Sequence, residues 1–118
     1  MMGKLLNKFR YAFQGLVNGL REDHSIRLQF VCALLAVGVG LVMHFSYLEM
    51  AVVLAMCGLV IGLEYLNSAL ENLLNYHLPE TNAEVGKIKD LAAGGVLVAS
   101  IMALIIGLLF VLKHLGGL

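Results

Sequence analysis

Glu64, Asn67 and Glu71 stand in the run GLVIGLEYLNSALENLLNYHLPE, directly after an apolar stretch, Met50 to Leu63, that carries no charge. Steps of three, four and seven residues place all three side chains on one face of an α-helix. A carboxylate inside or at the border of a bilayer is costly to keep there, so two on one stripe mark a functional site. The bland alternative is a helix that leaves the bilayer near Leu63 and carries solvated residues beyond it. Two acidic residues and an amide on a single face, with further acidic residues elsewhere in the chain, favour the site. Hard oxygen ligands of this kind suit a divalent cation, and a spare carboxylate can accept a hydroxyl proton.

The rest of the chain specifies a membrane setting for that stripe. Hydrophobic residues make up 60% of the 118 residues and charged ones 14%, with a mean hydropathy of +0.89. A soluble domain this small could not hide so much apolar surface. Formal net charge is zero, so there is no basic field for nucleic acid. Cys32 and Cys57 each lie within an apolar run. They read as small packing residues rather than a disulfide framework.

Three spans are expected, at about residues 26–46, 48–73 and 88–113, within a single domain covering residues 1–118. The first has a short uncharged core, Leu28 to Met43, which Arg27 would complete by snorkelling to the headgroups. The third is the cleanest, with 22 residues from Leu91 to Leu112 free of charge. Residues 1–25 precede them. There Leu5, Leu6, Phe9, Phe13, Leu16, Val17 and Leu20 recur at helical spacing, and the polar Lys4, Asn7, Lys8 and Gln14 fall elsewhere. That pattern predicts an amphipathic helix lying in the interface; no continuous apolar core or small-residue cleavage site follows the lysines, as a signal peptide would need.

Seven of the eight basic residues precede the uncharged core of the first predicted span or lie between the second span and the uncharged core of the third. The positive-inside rule therefore places the N-terminus in the cytoplasm and the C-terminus outside. This gathers Arg21, Glu22, Asp23, Arg27, Glu64, Asn67, Glu71, Glu80, Glu84, Lys89 and Asp90 at the cytoplasmic leaflet, leaving His44, Glu49, Lys113 and His114 outside. Carboxylates with a lysine at one pole suit Mg²⁺ and phosphate, the ammonium offsetting phosphate charge. No Walker-type loop, HExxH, CxxC or Gly-x-Ser-x-Gly occurs. Composition and spacing alone stop at a three-span membrane protein with a carboxylate-rich cytoplasmic border.

The string GLEYLNSALENLL, followed by KIKDLAAGGVLVA, resembles the signature of the prokaryotic integral-membrane diacylglycerol kinase and undecaprenol kinase family. Its pattern is Glu-x-x-Asn-[ST]-Ala-[IL]-Glu, then a Lys-Asp eighteen residues after the last Glu, the separation of Glu71 and Lys89 here. The resemblance covers nearly the whole chain. It implies an all-α membrane protein, an interfacial helix and three membrane helices per protomer, assembled as a homotrimeric bundle with active sites between neighbouring subunits. It implies transfer of the γ-phosphate of Mg²⁺-ATP to the hydroxyl of a membrane lipid in the bacterial cytoplasmic (inner) membrane.

By the same resemblance Glu64 is the catalytic base and Asn67 its neighbour, Glu71 binds metal, and Lys89 and Asp90 contact nucleotide. The family's second metal carboxylate is a Glu four residues before an Arg. Counting back from Arg27 gives Asp23, one methylene shorter, with Glu22 beside it as the alternative ligand. Tyr11 matches an aromatic near the nucleotide, and Glu80 an acidic position. Thr81 and Asn82 replace a frequent aromatic-His pair, a departure that touches base and ribose contacts. Phosphoryl transfer asks mainly for positioning and charge neutralisation, and a base at the edge of the apolar layer is better matched to neutral pH than a solvated one. The all-small KDLAAGG, with Ala93 where the diacylglycerol branch commonly has Ser, and the absence of Trp favour undecaprenol over diacylglycerol as substrate. A non-catalytic or ion-conducting oligomer is the remote alternative. It is poorly supported, because the core of span one offers only Gln29 and that of span three only Ser100.

Overall fold

The computed structural model describes residues 1–78 and 82–116, and those residues fold into four helices: α1 Met2–Glu22, α2 His24–Val42, α3 Tyr47–His77 and α4 Ala83–His114. No strand occurs among the described residues. Three of the helices, α2, α3 and α4, are long and apolar enough to cross a membrane, and α3 and α4, at 31 and 32 residues, extend beyond the hydrocarbon layer. The polar stripe is thus part of the same unbroken helix as the apolar run before it. α4 begins at Ala83, ahead of the charge-free segment, so Lys87, Lys89 and Asp90 are helical.

Side chains near the ends set where each helix starts. Asp23, in extended conformation, caps α2: its Oδ1 accepts from the backbone N–H of Ser25 at 2.9 Å and of Ile26 at 3.2 Å. Across this elbow the guanidinium of Arg27 donates to the Leu20 and Arg21 carbonyls, at 3.0 and 2.9 Å, and so closes the C-terminus of α1. The cation expected to snorkel is used as a helix cap. Ser46 and Glu49 form a capping box at the start of α3, and Asn82 caps α4 through the Val85 N–H at 2.9 Å. Between α2 and α3 the chain turns at His44, whose φ of 59° is left-handed.

Opposite the elbow, a second polar group fastens α3 to α4. Glu49 is buried and accepts from Lys113 Nζ at 3.2 Å, and its other oxygen meets His114 Nε2 at 2.8 Å. The His114 ring stacks on Phe45, which meets Phe110 edge-on.

The interior is thin. Among the described residues Ile26, Val53, Val60, Val85, Val96 and Ala99 are its buried apolar side chains, whereas Leu34, Val42, Leu48 and Leu91 are each more than 70% exposed. In water such a surface would drive aggregation; in lipid, or against further copies of the chain, it costs nothing. The apolar residues of α1, from Leu5 to Val17, are also exposed in the single protomer.

Candidate functional site

The site grows from the α1–α2 elbow and the second half of α3. Glu64 is 6% exposed, a level at which a carboxylate needs partners or a function. Gln29 of α2 and Asn67, one turn along α3, adjoin its carboxyl group, and Asp23 and Glu71 are near enough to repel it. Asn67 donates a long bond, 3.4 Å, from Nδ2 to Glu71 Oε1, while its own Oδ1 is buried without a donor. Buried acceptors are nearly always satisfied, so an orphan at this spot points to a hydroxyl or cation that binds there.

Asp23 reaches the stripe through a residue the sequence reading did not single out. Ser68, four residues after Glu64 and three before Glu71, donates its hydroxyl to Asp23 Oδ2. Partial burial pushes the Asp23 pKa up. The bonds from Ser68, Ile26 and Ser25 and the Arg27 charge outweigh that and hold it below the ordinary carboxylate value. While Oδ1 caps α2 with both of its lone pairs, Oδ2 accepts only from Ser68 and keeps a lone pair free.

Lys89 closes the row. Its ammonium lies 2.5 Å from Asn75 Oδ1, and Asn75 is one turn beyond Glu71. A helical row of Glu64, Asn67 and Ser68, Glu71 and Asn75 thus ends in a cation brought by α4. Neither Ser68 nor Asn75 is visible as a partner until two helices are packed together. Ser68 at least lies within the quoted motif.

The other expected residues are placed apart from this group. Tyr11 is 61% exposed, and its ring lies beside the Arg10 guanidinium. It sits twelve residues before Asp23, about 18 Å along a helix axis. Glu22 is exposed and makes no side-chain hydrogen bond or ion pair among the described residues. Asp90 is exposed and borders a shallow groove with Lys87, Gly94 and Gly95 on the surface of α4. Glu80 and Thr81 lie outside the described residues, and Asn82 is used as a helix cap. One protomer assembles the carboxylates and Lys89; it leaves Tyr11 and Asp90 facing outward.

An apolar cavity of about 480 Å³ opens between α2, α3 and α4 at membrane depth. Gln29 and Val60, both next to Glu64, line it, and it continues past Ser100 to Phe45 and Val111.

A model of the family described as prokaryotic diacylglycerol kinase matches residues 10–111 of the chain. The chain belongs to this family. It is 34% identical over 104 residues to a diacylglycerol kinase of Synechocystis sp., an alignment covering 87% of this chain and 59% of that protein. The chain thus spans less than two thirds of that relative's length. An undecaprenol kinase of Bacillus subtilis is 25% identical over 114 residues, covering 97% of this chain and 93% of the relative. A diacylglycerol kinase of Escherichia coli K12 is 26% identical over 113 residues, with 96% and 93% covered. The family is one of lipid kinases, and its helices are those of a membrane protein.

Transfer of a phosphoryl group from ATP would require that the donors at this site fit Mg²⁺. Among the described residues no three carboxylate, imidazole or thiol groups stand close enough to enclose a cation. Mg²⁺ does not require that: it is ordinarily held by one or two carboxylates together with substrate phosphates. Asp23 and Glu71 flank Ser68, carry free lone pairs, and with Glu64 form a group of like charges. The donor set fits.

Proposed function

We propose that this protein phosphorylates the hydroxyl of a membrane lipid with ATP, undecaprenol being the favoured acceptor. The observation that carries the reading is the buried carboxylate of Glu64, placed between an apolar cavity and a row of polar groups ending in Lys89. A lipid must bring its hydroxyl from the apolar side and ATP its phosphates from the aqueous side, and the two meet at Glu64. There Glu64 takes the hydroxyl proton as general base, and Asn67 orients it or contacts phosphate. Asp23 and Glu71 would hold Mg²⁺, with Glu22 as the alternative to Asp23; the ion would neutralise phosphate charge. Lys89 offsets charge that develops on the transferring phosphoryl group, and Asp90, Tyr11 and Glu80 contact nucleotide.

Tyr11 and Asp90 are exposed in the single protomer, which supports a homotrimer with sites completed between subunits. The exposed apolar face of α1 supports its lying in the interface. We place the protein in the bacterial cytoplasmic membrane, with the N-terminus inside and the C-terminus outside. For the acceptor, the small residues Ala92, Ala93, Gly94 and Gly95 favour undecaprenol, and a relative named undecaprenol kinase aligns over nearly its whole length. The Synechocystis relative, named diacylglycerol kinase, supports the alternative, synthesis of phosphatidic acid.

The test is a phosphorylation assay in mixed micelles with γ-labelled ATP, offering undecaprenol and diacylglycerol in parallel. Label should enter lipid, and mostly undecaprenol. Dominant labelling of diacylglycerol would select the alternative, and label in neither would refute the kinase reading.

A further inference from the structure

Two side chains on α3 outside the catalytic assignments hold the elbow that carries Asp23. Tyr65 follows Glu64 directly, and its hydroxyl donates to the Leu16 carbonyl of α1 at 2.7 Å. The ring fits a notch left by Gly19. A methyl group at Gly19 would overlap the ring, with Cζ only 2.9 Å away, and would meet Ile26 Cδ1 at 3.0 Å. Ile26 is 1% exposed, the most deeply buried side chain among the described residues, and it lies at the start of α2. Three residues after Tyr65, Ser68 donates to Asp23. Steps of three put Tyr65 and Ser68 on neighbouring turns of one face. They grip α1 and the elbow from the helix that carries Glu64, Asn67 and Glu71.

We propose that Tyr65 and Ser68 are positioning residues: a two-point clamp that sets the Asp23 carboxylate against Glu71 and docks the second half of α1 on α3. The proposal rests on the kinase reading for its consequence and on the geometry alone for its existence. Asp is shorter than Glu, so an Asp carboxylate reaches a shared ligand only if its backbone is brought close. The Gly19 notch permits that approach, and the two hydroxyls fix it. Neither hydroxyl needs to touch substrate.

Four variants test it: Tyr65→Phe removes one hydroxyl, Ser68→Ala the other, Ser68→Thr restores a hydroxyl, and Gly19→Ala fills the notch. Amide hydrogen exchange of the full-length protein in detergent reads the clamp without any turnover. Tyr65→Phe and Ser68→Ala should each speed exchange over residues 16–27 by about two- to tenfold, the range for one lost hydrogen bond, leaving α4 unchanged. Gly19→Ala should act in the same region, and Ser68→Thr should match the parent protein. In lipid kinase kinetics Ser68→Ala should raise KM for Mg²⁺-ATP by a similar factor with kcat nearly kept. Unchanged exchange at the elbow, or faster exchange spread equally over α4, overturns the clamp. Altered exchange with an unaltered KM removes its link to Asp23. Absence of lipid phosphorylation by the parent protein refutes the kinase reading instead, and the exchange result still decides the clamp.

Discussion

Glu71 and Asp23 are both acidic, yet their surroundings give them different burdens. Glu71 is half-exposed and, among the described residues, is bonded only through the long contact from Asn67, which leaves its charge for a ligand. Glu71→Gln keeps the shape and removes the charge; Mg²⁺-dependent ATP binding should be lost by calorimetry while the protein still assembles. Asp23 also caps α2 and accepts from Ser68. Asn is as good a cap as Asp. Asp23→Asn should therefore leave the thermal midpoint close to that of the parent and weaken Mg²⁺-ATP binding as Glu71→Gln does. If Glu22→Gln has that effect instead, the metal register shifts by one residue. Glu22, exposed and without side-chain bonds among the described residues, has no structural duty to lose.

At the scale of helices, α3 was the most legible part of the sequence. An uncharged run followed by acidic and amide residues at helical spacing defines both a span and a functional face, because the 3.6-residue period needs no tertiary knowledge. What joins helices was not legible. The break at Asp23, the reach of Arg27 back to α1, the Asn75 contact of Lys89 and the Gly19 notch for Tyr65 all depend on which turns meet. The Glu49 cluster is the extreme case, since Glu49 finds Lys113 and His114 across 64 and 65 residues of sequence. It fastens the start of α3 to the end of α4, far from Glu64. Glu49→Ala should lower the thermal midpoint more than Glu49→Gln, which keeps one acceptor oxygen for Ser46 or Lys113. Neither should change KM for Mg²⁺-ATP on protein that remains folded.

For the whole molecule, few apolar side chains are buried among the described residues, and Tyr11 and Asp90 are exposed, so under the proposed function a single protomer would be incomplete as an active unit. In the proposed trimer a closed symmetric assembly would cover the polar stripe and supply the outward-facing groups from a neighbour. Native mass spectrometry in mild detergent should give a trimer; monomer alone with activity intact would exclude the shared site. Every assignment depends on one division of labour, in which the carboxylate nearest the apolar layer handles the lipid and those beyond it handle the nucleotide. The direct measurement is the lipid-phosphorylation kinetics of Glu64→Gln. The account predicts kcat lower by about 10²–10⁴-fold with KM for Mg²⁺-ATP nearly unchanged. Near-normal turnover, or a loss of ATP affinity as large as that of Glu71→Gln, would contradict it.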